Sequence, residues 1–381
     1  MPLLDVAIVG AGPVGATLAA LAAREGLEVA VFEARAAPSA DRRTLALSHG
    51  SRERLEEAGA WPADEATPIL SIHISQKGGP GRTLIEARDQ RLPALGYTVA
   101  YSALEASLAR RLEAARIPVH YGHTCEAIAV DPAAARLRFA GGGEASARLL
   151  VLADGGANAA KIPGIAFHEK DYGQHAVVGA VRTDRPHSGR AYERFTPRGP
   201  MALLPVEDRL ALVWTASPAE SSRLLALGDA EFVEELQAAF GDRAGRFSAA
   251  GPRASFPLRL RAVNTPVALR TAIIGNAAQA LHPVAGQGLN LGLRDAGELA
   301  GAIAASPRSS LGEPEMLAAY RDARRRDATR GVAFTDLLVS AFADARRLPT
   351  WGRGLALTAL DLFAPARRAL AERMIHGAPA P

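Results

Sequence analysis

The stretch DVAIVGAGPVGATLAALAAREGLEVAVFEAR, residues 5–35, contains the pattern of a βαβ unit. It predicts a strand at Val6–Val9, a glycine turn, a helix at Val14–Glu25 and a second strand at Glu28–Glu33. Helices that connect parallel strands are typical of doubly wound sheets. The stretch therefore predicts an α/β fold.

The turn of this unit has the spacing of a dinucleotide-binding motif. Gly10 allows the tight turn, Gly12 lets a pyrophosphate reach the backbone amides, and Gly15 lets helix and strand pack closely. Glu33 ends the second strand, where an acid binds ribose hydroxyls. A glycine turn without a ligand is the alternative interpretation.

Two further motifs follow predicted strands. Asp154-Gly155 ends the apolar run ARLLVLADG, and residues 275–295, GNAAQALHPVAGQGLNLGLRD, follow the predicted strand VALRTAIIG at 267–275. Doubly wound sheets bind their ligands at strand ends. A nicotinamide dehydrogenase has no use for these extra motifs, whereas an extended FAD needs contacts along its ribityl chain and isoalloxazine ring.

Length and composition bound the remaining possibilities. The 381 residues suffice for two subdomains, and 48% are hydrophobic, which is typical of a globular protein. The net charge is +4, but the arginines are interleaved with acids, which argues against a nucleic-acid partner. Cys125 is the single cysteine, which excludes an intrachain disulfide and a Cys-cluster zinc site and fits a reducing, cytoplasmic location. No metal site is predicted.

Other elements are predicted from periodicity and capping. Residues 102–115 form a helix with Ser102 as its N-cap, and residues 201–206 and 209–216 form a β-hairpin. Residues 229–241 form another helix. From Arg294 onward the pattern is helical, broken by prolines at 307, 349 and 365.

The sequence resembles a known family. VAIVGAGPVGATLA, RTLALSHGS, AYERFTPRGPMALLP, GNAAQALHPVAGQGLNLGLRD and LDLFAPARRALAER are similar to class A flavin monooxygenases, the para-hydroxybenzoate-hydroxylase-like aromatic hydroxylases. Within them the likeness is to ubiquinone-biosynthesis hydroxylases, especially the 2-polyprenyl-6-methoxyphenol hydroxylase branch. We expect a discontinuous Rossmann-like FAD-binding domain at 1–70, 98–172 and 266–330, a mainly β-sheet substrate domain at 71–97 and 173–265, and a C-terminal helical segment at 331–381.

The resemblance implies roles for individual residues. His282 and Pro283 are the catalytic candidates, with a structural hydrogen-bonding role as the alternative for His282. The substrate candidates are Tyr192, Arg194, Phe195 and Trp214, each of which could instead belong to the core. The implied FAD-binding residues are Gly10, Gly12, Pro13, Gly15, Glu33, Arg43, Asp154, Gly155, Gly275, Asn276, Pro283, Gly286, Gln287, Gly288 and Asn290.

Two departures from the family pattern affect the cofactor site. Asn158 and Lys161 stand where relatives have a serine and an arginine, which puts a phosphate or nicotinamide role of this segment in question. On the predicted helix 102–115, Ala106 lies near the position of a glutamine or arginine that relatives direct at the flavin. Ser102 and Glu105 are the expected substitutes.

The family likeness also implies the reaction and its partners. NAD(P)H reduces FAD, O2 adds at flavin C4a, and the resulting hydroperoxide transfers one oxygen atom to a polyprenylated phenol. Residues 351–374 are amphipathic and basic, so they could contact the inner membrane face or a protein of the ubiquinone-biosynthesis complex, or simply cover the FAD domain.

Three other functions stay open at this point. The same fold could hydroxylate a soluble aromatic acid or a polyketide, which requires a buried cation such as Arg194 or Arg198 in the pocket. The chain could be a non-catalytic flavin-binding member of a biosynthetic assembly, or a nicotinamide dehydrogenase. The ring carbon, the tail length, NADH against NADPH, and the oligomeric state are not specified by these motifs.

Overall fold

The computed structural model describes residues 2–39, 41, 43–78, 81–280, 287–325 and 357–376. Its helices are α1 (Pro13–Ala23), α2 (His49–Glu57), α3 (Tyr101–Ala114), α4 (Pro218–Ala226), α5 (Asp229–Phe240), α6 (Gln287–Ala304), α7 (314–325), α8 (357–362) and α9 (Ala364–His376).

The strands are β1 (Leu3–Val9), β2 (Val29–Glu33), β3 (Thr44–Ser48), β4 (Thr67–Ile69), β5 (Ser71–Gln76), β6 (Arg82–Glu86), β7 (Gly96–Ala100), β8 (Val119–Tyr121), β9 (Cys125–Val130), β10 (Ala135–Phe139), β11 (Glu144–Leu152), β12 (Phe167–Thr183), β13 (Arg190–Thr196), β14 (Gly199–Val206), β15 (Arg209–Ala216), β16 (Phe247–Ala250), β17 (Ala254–Val263), β18 (Val267–Ala268), β19 (Thr271–Ile273) and β20 (Gln279–Ala280).

The first sheet has a parallel centre. Its order is β18-β19-β11-β1-β2-β8, in which β19, β11, β1, β2 and β8 are parallel. Strand β10 pairs antiparallel with β11, and β9 pairs with β10. Helix α1 is buried over nearly its whole surface and packs on α3 and α6. Val9, Leu152 and Ile273 are paired across β1, β11 and β19, so the three sequence motifs begin side by side. The α/β class expected from residues 5–35 is confirmed.

The second sheet is largely antiparallel and has two distinct faces. Its order is β20-β17-β12-β15-β14-β13-β5-β6, and β16 pairs with β12. One face packs on α4 and α5, where Trp214 meets Phe232 with ring centroids 6.0 Å apart. Because side chains alternate along a strand, the opposite face carries a separate set of residues, which borders the cavity described below.

The C-terminal helices pack on the edge of this second sheet. Thr83 donates to the carbonyl of Leu357 at 2.8 Å, and the Leu84 amide donates to Asp361 at 3.0 Å. Ile375 of α9 joins the same apolar cluster as Ile85. Among the described helices none is long and apolar enough to cross a bilayer. The domain boundaries given above remain a prediction.

Several element boundaries differ from those predicted. Helix α3 begins at Tyr101 with Ala100 as its N-cap, so Ser102 does not cap it. Helix α6 begins at Gln287 rather than Arg294. Pro365 lies in the first turn of α9, a position that tolerates proline because the first-turn amides have no partner within the helix. Pro349 lies outside the described residues.

The predicted single strand at 267–275 is a short hairpin. Strands β18 and β19 are antiparallel, and Arg270 turns the chain with φ of 53°. Its buried guanidinium donates to the carbonyls of Pro132 and Leu311, at 3.0 and 2.7 Å. These long-range hydrogen bonds explain why an apolar run folds back at a charged residue.

The burial of Trp214 leads to a stability prediction. Trp214 is 2% exposed and is packed among aromatic and aliphatic side chains. Trp214→Leu removes part of this packing and should lower the free energy of unfolding by about 2–4 kcal/mol. Trp61→Leu is the matched control, because Trp61 is only partly buried and should cost less. Urea denaturation measures both variants, and equal losses would contradict the core assignment of Trp214.

Candidate functional site

The turn between β1 and α1 has the geometry expected of a pyrophosphate cradle. A Cβ atom at Gly15 would lie 2.1 Å from the Gly10 carbonyl oxygen, and one at Gly10, where φ is 108°, would lie 2.5 Å from the Ala153 carbonyl oxygen. A Cβ at Gly12 would meet no atom within 4 Å. Gly10 and Gly15 therefore serve close packing, whereas Gly12 leaves space where a ligand can approach the helix N-terminus.

Glu33 is an ionised acceptor beside this turn. Its carboxylate accepts hydrogen bonds from the Ala11 amide at 2.8 Å and from the Arg35 side chain at 3.0 Å. Burial opposes ionisation, but these hydrogen bonds outweigh it and lower the pKa of Glu33. The Arg35 amide and Arg35 Nη2 also donate to it, at 3.0 and 3.2 Å, so four hydrogen bonds occupy the roughly four lone-pair sites of the carboxylate. A ribose hydroxyl that binds Glu33 would therefore replace or share one of the Arg35 hydrogen bonds.

The Asp154 motif forms a hydrogen-bonded chain with the two residues that depart from the family pattern. Asp154 accepts from the Asn158 side chain at 2.6 Å, and Lys161 donates to Asn158 Oδ1 and to the Cys125 carbonyl, each at 2.7 Å. Gly155 follows Asp154 with φ of 73°. Asn158 and Lys161 therefore hold the Asp154 turn against β9.

A buried carboxylate anchors the loop of the third motif. Asp295 on α6 is 2% exposed and accepts from the Gly275 amide and the Gln279 side chain, each at 2.9 Å. Arg324 on α7 forms an ion pair with it. This arrangement leaves Asn276 exposed, and its amide can both donate and accept toward ribityl hydroxyls. Asp295 lies within the third motif, but its anchoring role was not predicted from the sequence.

Of the remaining third-motif residues, Asn290, Gln287 and Gly288 belong to α6. Asn290 is 2% exposed. Its Oδ1 accepts from the Ser48 amide and the Ser51 hydroxyl, at 2.8 and 2.7 Å, and its Nδ2 donates to the Ala46 carbonyl at 3.0 Å. Gln287 and Gly288 begin α6. The predicted His282, Pro283 and Gly286 lie outside the described residues.

Arg43 and helix α3 form another wall of the site. The Arg43 guanidinium pairs with Asp41 at 2.7 Å and lies 5.8 Å from the Tyr101 ring centroid. Glu105 pairs with Arg35 at 3.0 Å and Ser102 is exposed, so neither lines the cavity as expected. Tyr101, the first residue of α3, lines it instead; the N-cap of this helix is Ala100, two residues before the predicted Ser102.

These elements enclose one cavity of about 940 Å³, which lies near the upper end of the roughly 300–1,000 Å³ range of cofactor and ligand sites. Its nucleotide part includes Gly10, Gly12, Pro13, Glu33, Arg35, Arg43, Asp154, Gly155, Asn158, Lys161, Asn276, Gly288 and Asn290. Its sheet part includes Ile72, Ile74, Ile85, Ala191, Tyr192, Glu193, Phe195, Ala202, Leu204 and Val213, with Leu357, Leu360, Leu370, Ala371, Met374 and Ile375 from the C-terminal helices.

Two of the four predicted substrate residues line the sheet part. Phe195 and Tyr192 border the cavity, although the Tyr192 hydroxyl donates away from it, to the Arg243 carbonyl at 3.3 Å. Arg194 donates to Ser75 at 3.1 Å, and Trp214 belongs to the core under α5; neither lines the cavity. Both lie on the other face of the sheet.

Glu193 is the functional candidate that the sequence analysis missed. It lines the cavity between Ala191 and Phe195, which share its face of β13. Strand alternation in AYERFT would have indicated it, because a charged residue then falls between two residues of an apolar face.

Comparison with known proteins decides the family. Residues 3–335 match the model of the FAD binding domain family. The chain belongs to this family of flavoproteins. It is 38% identical to ubiquinone hydroxylase UbiL of Rhodospirillum rubrum over 378 residues, covering 96% of this chain and 87% of that protein. It is 33% identical to 3-demethoxyubiquinol 3-hydroxylase of Escherichia coli, covering 76% of this chain and 77% of that protein.

Solved structures agree on the fold. p-Nitrophenol 4-monooxygenase PnpA from Pseudomonas putida superposes with a TM-score of 0.79, with 18% identity and 99% of each chain covered. PqsL of Pseudomonas aeruginosa superposes with a TM-score of 0.78, with 22% identity and 93% of this chain and 99% of that chain covered. The family match and the hydroxylase relatives show that this chain is an FAD-dependent monooxygenase that uses NAD(P)H and O2, and the solved structures show that it has the aromatic-hydroxylase fold. The open space at Gly12 together with the exposed Asn276 amide fits FAD.

The glycine geometry of this flavoprotein predicts opposite outcomes for two similar substitutions. Gly15→Ala should prevent correct folding, because its Cβ would overlap the Gly10 carbonyl oxygen. Gly12→Ala should fold but bind FAD about tenfold or more weakly, because the methyl group occupies the space of the pyrophosphate. FAD fluorescence titration and thermal unfolding of the apoprotein distinguish the two; equal unfolding temperatures would contradict the packing role of Gly15.

The Asp295 anchor predicts a coupled pair. Asp295→Asn leaves the Arg324 charge buried, so the free energy of unfolding should fall by about 3–5 kcal/mol and FAD affinity should fall with it. Adding Arg324→Gln should recover part of this loss, which a double-mutant cycle measures by urea denaturation. Strictly additive losses would mean that the two side chains do not act as a pair.

Proposed function

We propose that the protein hydroxylates the ring of a polyprenylated phenol in ubiquinone biosynthesis, with a 2-polyprenyl-6-methoxyphenol as the substrate class. The observation that carries this proposal is the cavity, which continues from the nucleotide residues into a sheet part lined mostly by aliphatic side chains. The names of the two ubiquinone-pathway relatives support the same pathway. An apolar chamber suits a ring that carries an isoprenoid tail.

FAD supplies the redox chemistry when bound, since it accepts reducing equivalents from NAD(P)H and activates O2. The chain's own residues would bind FAD and orient the substrate ring. Glu33 would accept from the ribose hydroxyls in exchange for one of its Arg35 hydrogen bonds, and Asn276 would bind the ribityl hydroxyls. Ile72, Ala202 and Val213 exclude water from the substrate ring, which limits the wasteful release of H2O2.

The alternative of a soluble aromatic acid has less support. A carboxylate substrate needs a buried cation, but Arg194 points to the opposite sheet face and Arg198 is exposed and paired with Glu220 at 3.1 Å. Among the described residues of the sheet part, the charged group is an acid, Glu193. A carboxylate and an acid would repel each other once both are ionised.

We also propose a cytoplasmic protein that contacts the inner membrane face peripherally. Leu362 and Phe363 are 81% and 61% exposed, and Arg368 lies close by in the chain. They belong to the segment whose Leu357 and Leu360 line the cavity, so a membrane-embedded tail would lie near the cavity wall. The same exposed pair could instead contact a protein of a ubiquinone-biosynthesis complex.

The proposed reaction predicts tight coupling. The FAD-loaded protein should consume NADPH faster when given a short-chain 2-polyprenyl-6-methoxyphenol, with one hydroxylated product per NADPH and little H2O2. Oxygen uptake, product mass and peroxide are measured together, and NADH is tested in parallel.

A panel of substrates tests which ring position is hydroxylated and which class of phenol is the substrate. A demethoxyubiquinol analogue reports a different ring position, and 4-hydroxybenzoate represents the soluble acids. Stimulation by 4-hydroxybenzoate alone would overturn the proposed substrate class. Reduction of FAD with no product from any phenol would overturn the hydroxylation itself.

A further inference from the structure

Glu193 occupies an unusual position in the cavity wall. It lies in the middle of β13, paired with Ala202 of β14 on one side and with Ile74 of β5 on the other. Its neighbours on the same face of β13 are Ala191 and Phe195. The carboxyl group is therefore surrounded by apolar side chains and borders the space that receives the substrate ring.

Among the described residues no group hydrogen-bonds or ion-pairs the Glu193 carboxyl. The residues of β5, β14, α8 and α9 that line the cavity are apolar and carry no titratable group. Arg194 is directed to the other sheet face, where it bonds Ser75. The cavity's other charged or titratable residues are Glu33, Arg35, Arg43, Tyr101, His123, Cys125, Asp154 and Lys161, which belong to the nucleotide part, and Tyr192, whose hydroxyl bonds Arg243 on the far face.

Glu193 is partly buried, and a carboxyl group in an apolar wall without a hydrogen-bond partner costs free energy, so a ligand that supplies a partner gains affinity. We propose that Glu193 is the residue that binds the phenolic hydroxyl of the substrate ring. The inference rests on the proposed function for the identity of the ring. It assigns a positioning and specificity role that distinguishes phenols from their ethers and from aromatic acids.

The protonation state of Glu193 predicts how the preference for a phenol over its ether changes with pH. Desolvation raises the pKa of Glu193 to about 8. Below that pH the neutral acid both donates and accepts hydrogen bonds and places no charge in the apolar wall. Above it the carboxylate only accepts, so a phenol keeps its hydrogen bond whereas a methyl ether, which has no donor, meets an unpaired buried charge.

The experiment compares two probes, a 2-methoxyphenol with a short prenyl chain and its methyl ether. Their dissociation constants are measured with the FAD-loaded protein, by perturbation of the flavin absorbance, between pH 6.5 and 9. The variants are Glu193→Gln, which keeps a donor and an acceptor, and Glu193→Leu, which keeps neither. Glu169→Leu is the control, because Glu169 lies on the same sheet but is exposed.

The wild type and Glu169→Leu should prefer the phenol by about tenfold at pH 7, and this preference should grow through pH 8. Glu193→Gln should keep a preference that does not change with pH, and Glu193→Leu should bind both probes equally. A merely structural role would weaken both probes together in every variant. A phenol preference that survives in Glu193→Leu would overturn the inference.

Failure of the proposed function has a different signature. If the wild type binds the phenol in a Glu193-dependent manner but forms no hydroxylated product, the hydroxylation proposal fails and the binding role stands. If product forms while Glu193→Leu retains the preference, the binding role fails and the hydroxylation proposal stands.

Discussion

The close approach of α1 to β1 is the contact on which the site depends. With 2.1 Å between the Gly10 carbonyl oxygen and the Cβ position of Gly15, no side chain fits between helix and strand. The helix N-terminus consequently lies directly above the end of β1. Because β11 and β19 end alongside β1, the Asp154 and Gly275 turns face the same nucleotide site.

Long-range polar contacts then hold the loops that follow these strand ends in place. Asp295 and Arg324 hold the Gly275 loop over α6, and Asn290 ties α6 to β3 and α2. Such buried groups are costly unless they are fully paired, so they favour one arrangement of the loop. The exposed amide of Asn276, which we propose as the ribityl contact, is therefore positioned by the buried pair Asp295 and Arg324.

Charge is partitioned along the cavity. The cations Arg35, Arg43 and Lys161 lie in the nucleotide part, and each is held by a neighbouring acceptor. The sheet part presents aliphatic side chains and the acid Glu193. This distribution favours a neutral, apolar ring over an anionic one.

The nucleotide half could be predicted because its signals are local. Gly10, Gly12, Gly15 and Glu33 lie within one βαβ unit, where spacing and strand phase define their positions. The sequence by itself also determined the α/β class and the family. Only the tertiary structure decided that Arg270 folds an apolar run into a hairpin, that Arg194 and Trp214 face away from the cavity, and that Glu193 faces into it. The same holds for the C-terminal helices, whose hydrogen bonds to β6 join residues some 270 positions apart. Side-chain periodicity indicates that a strand has two faces, but which face meets the substrate depends on the elements that pack against it.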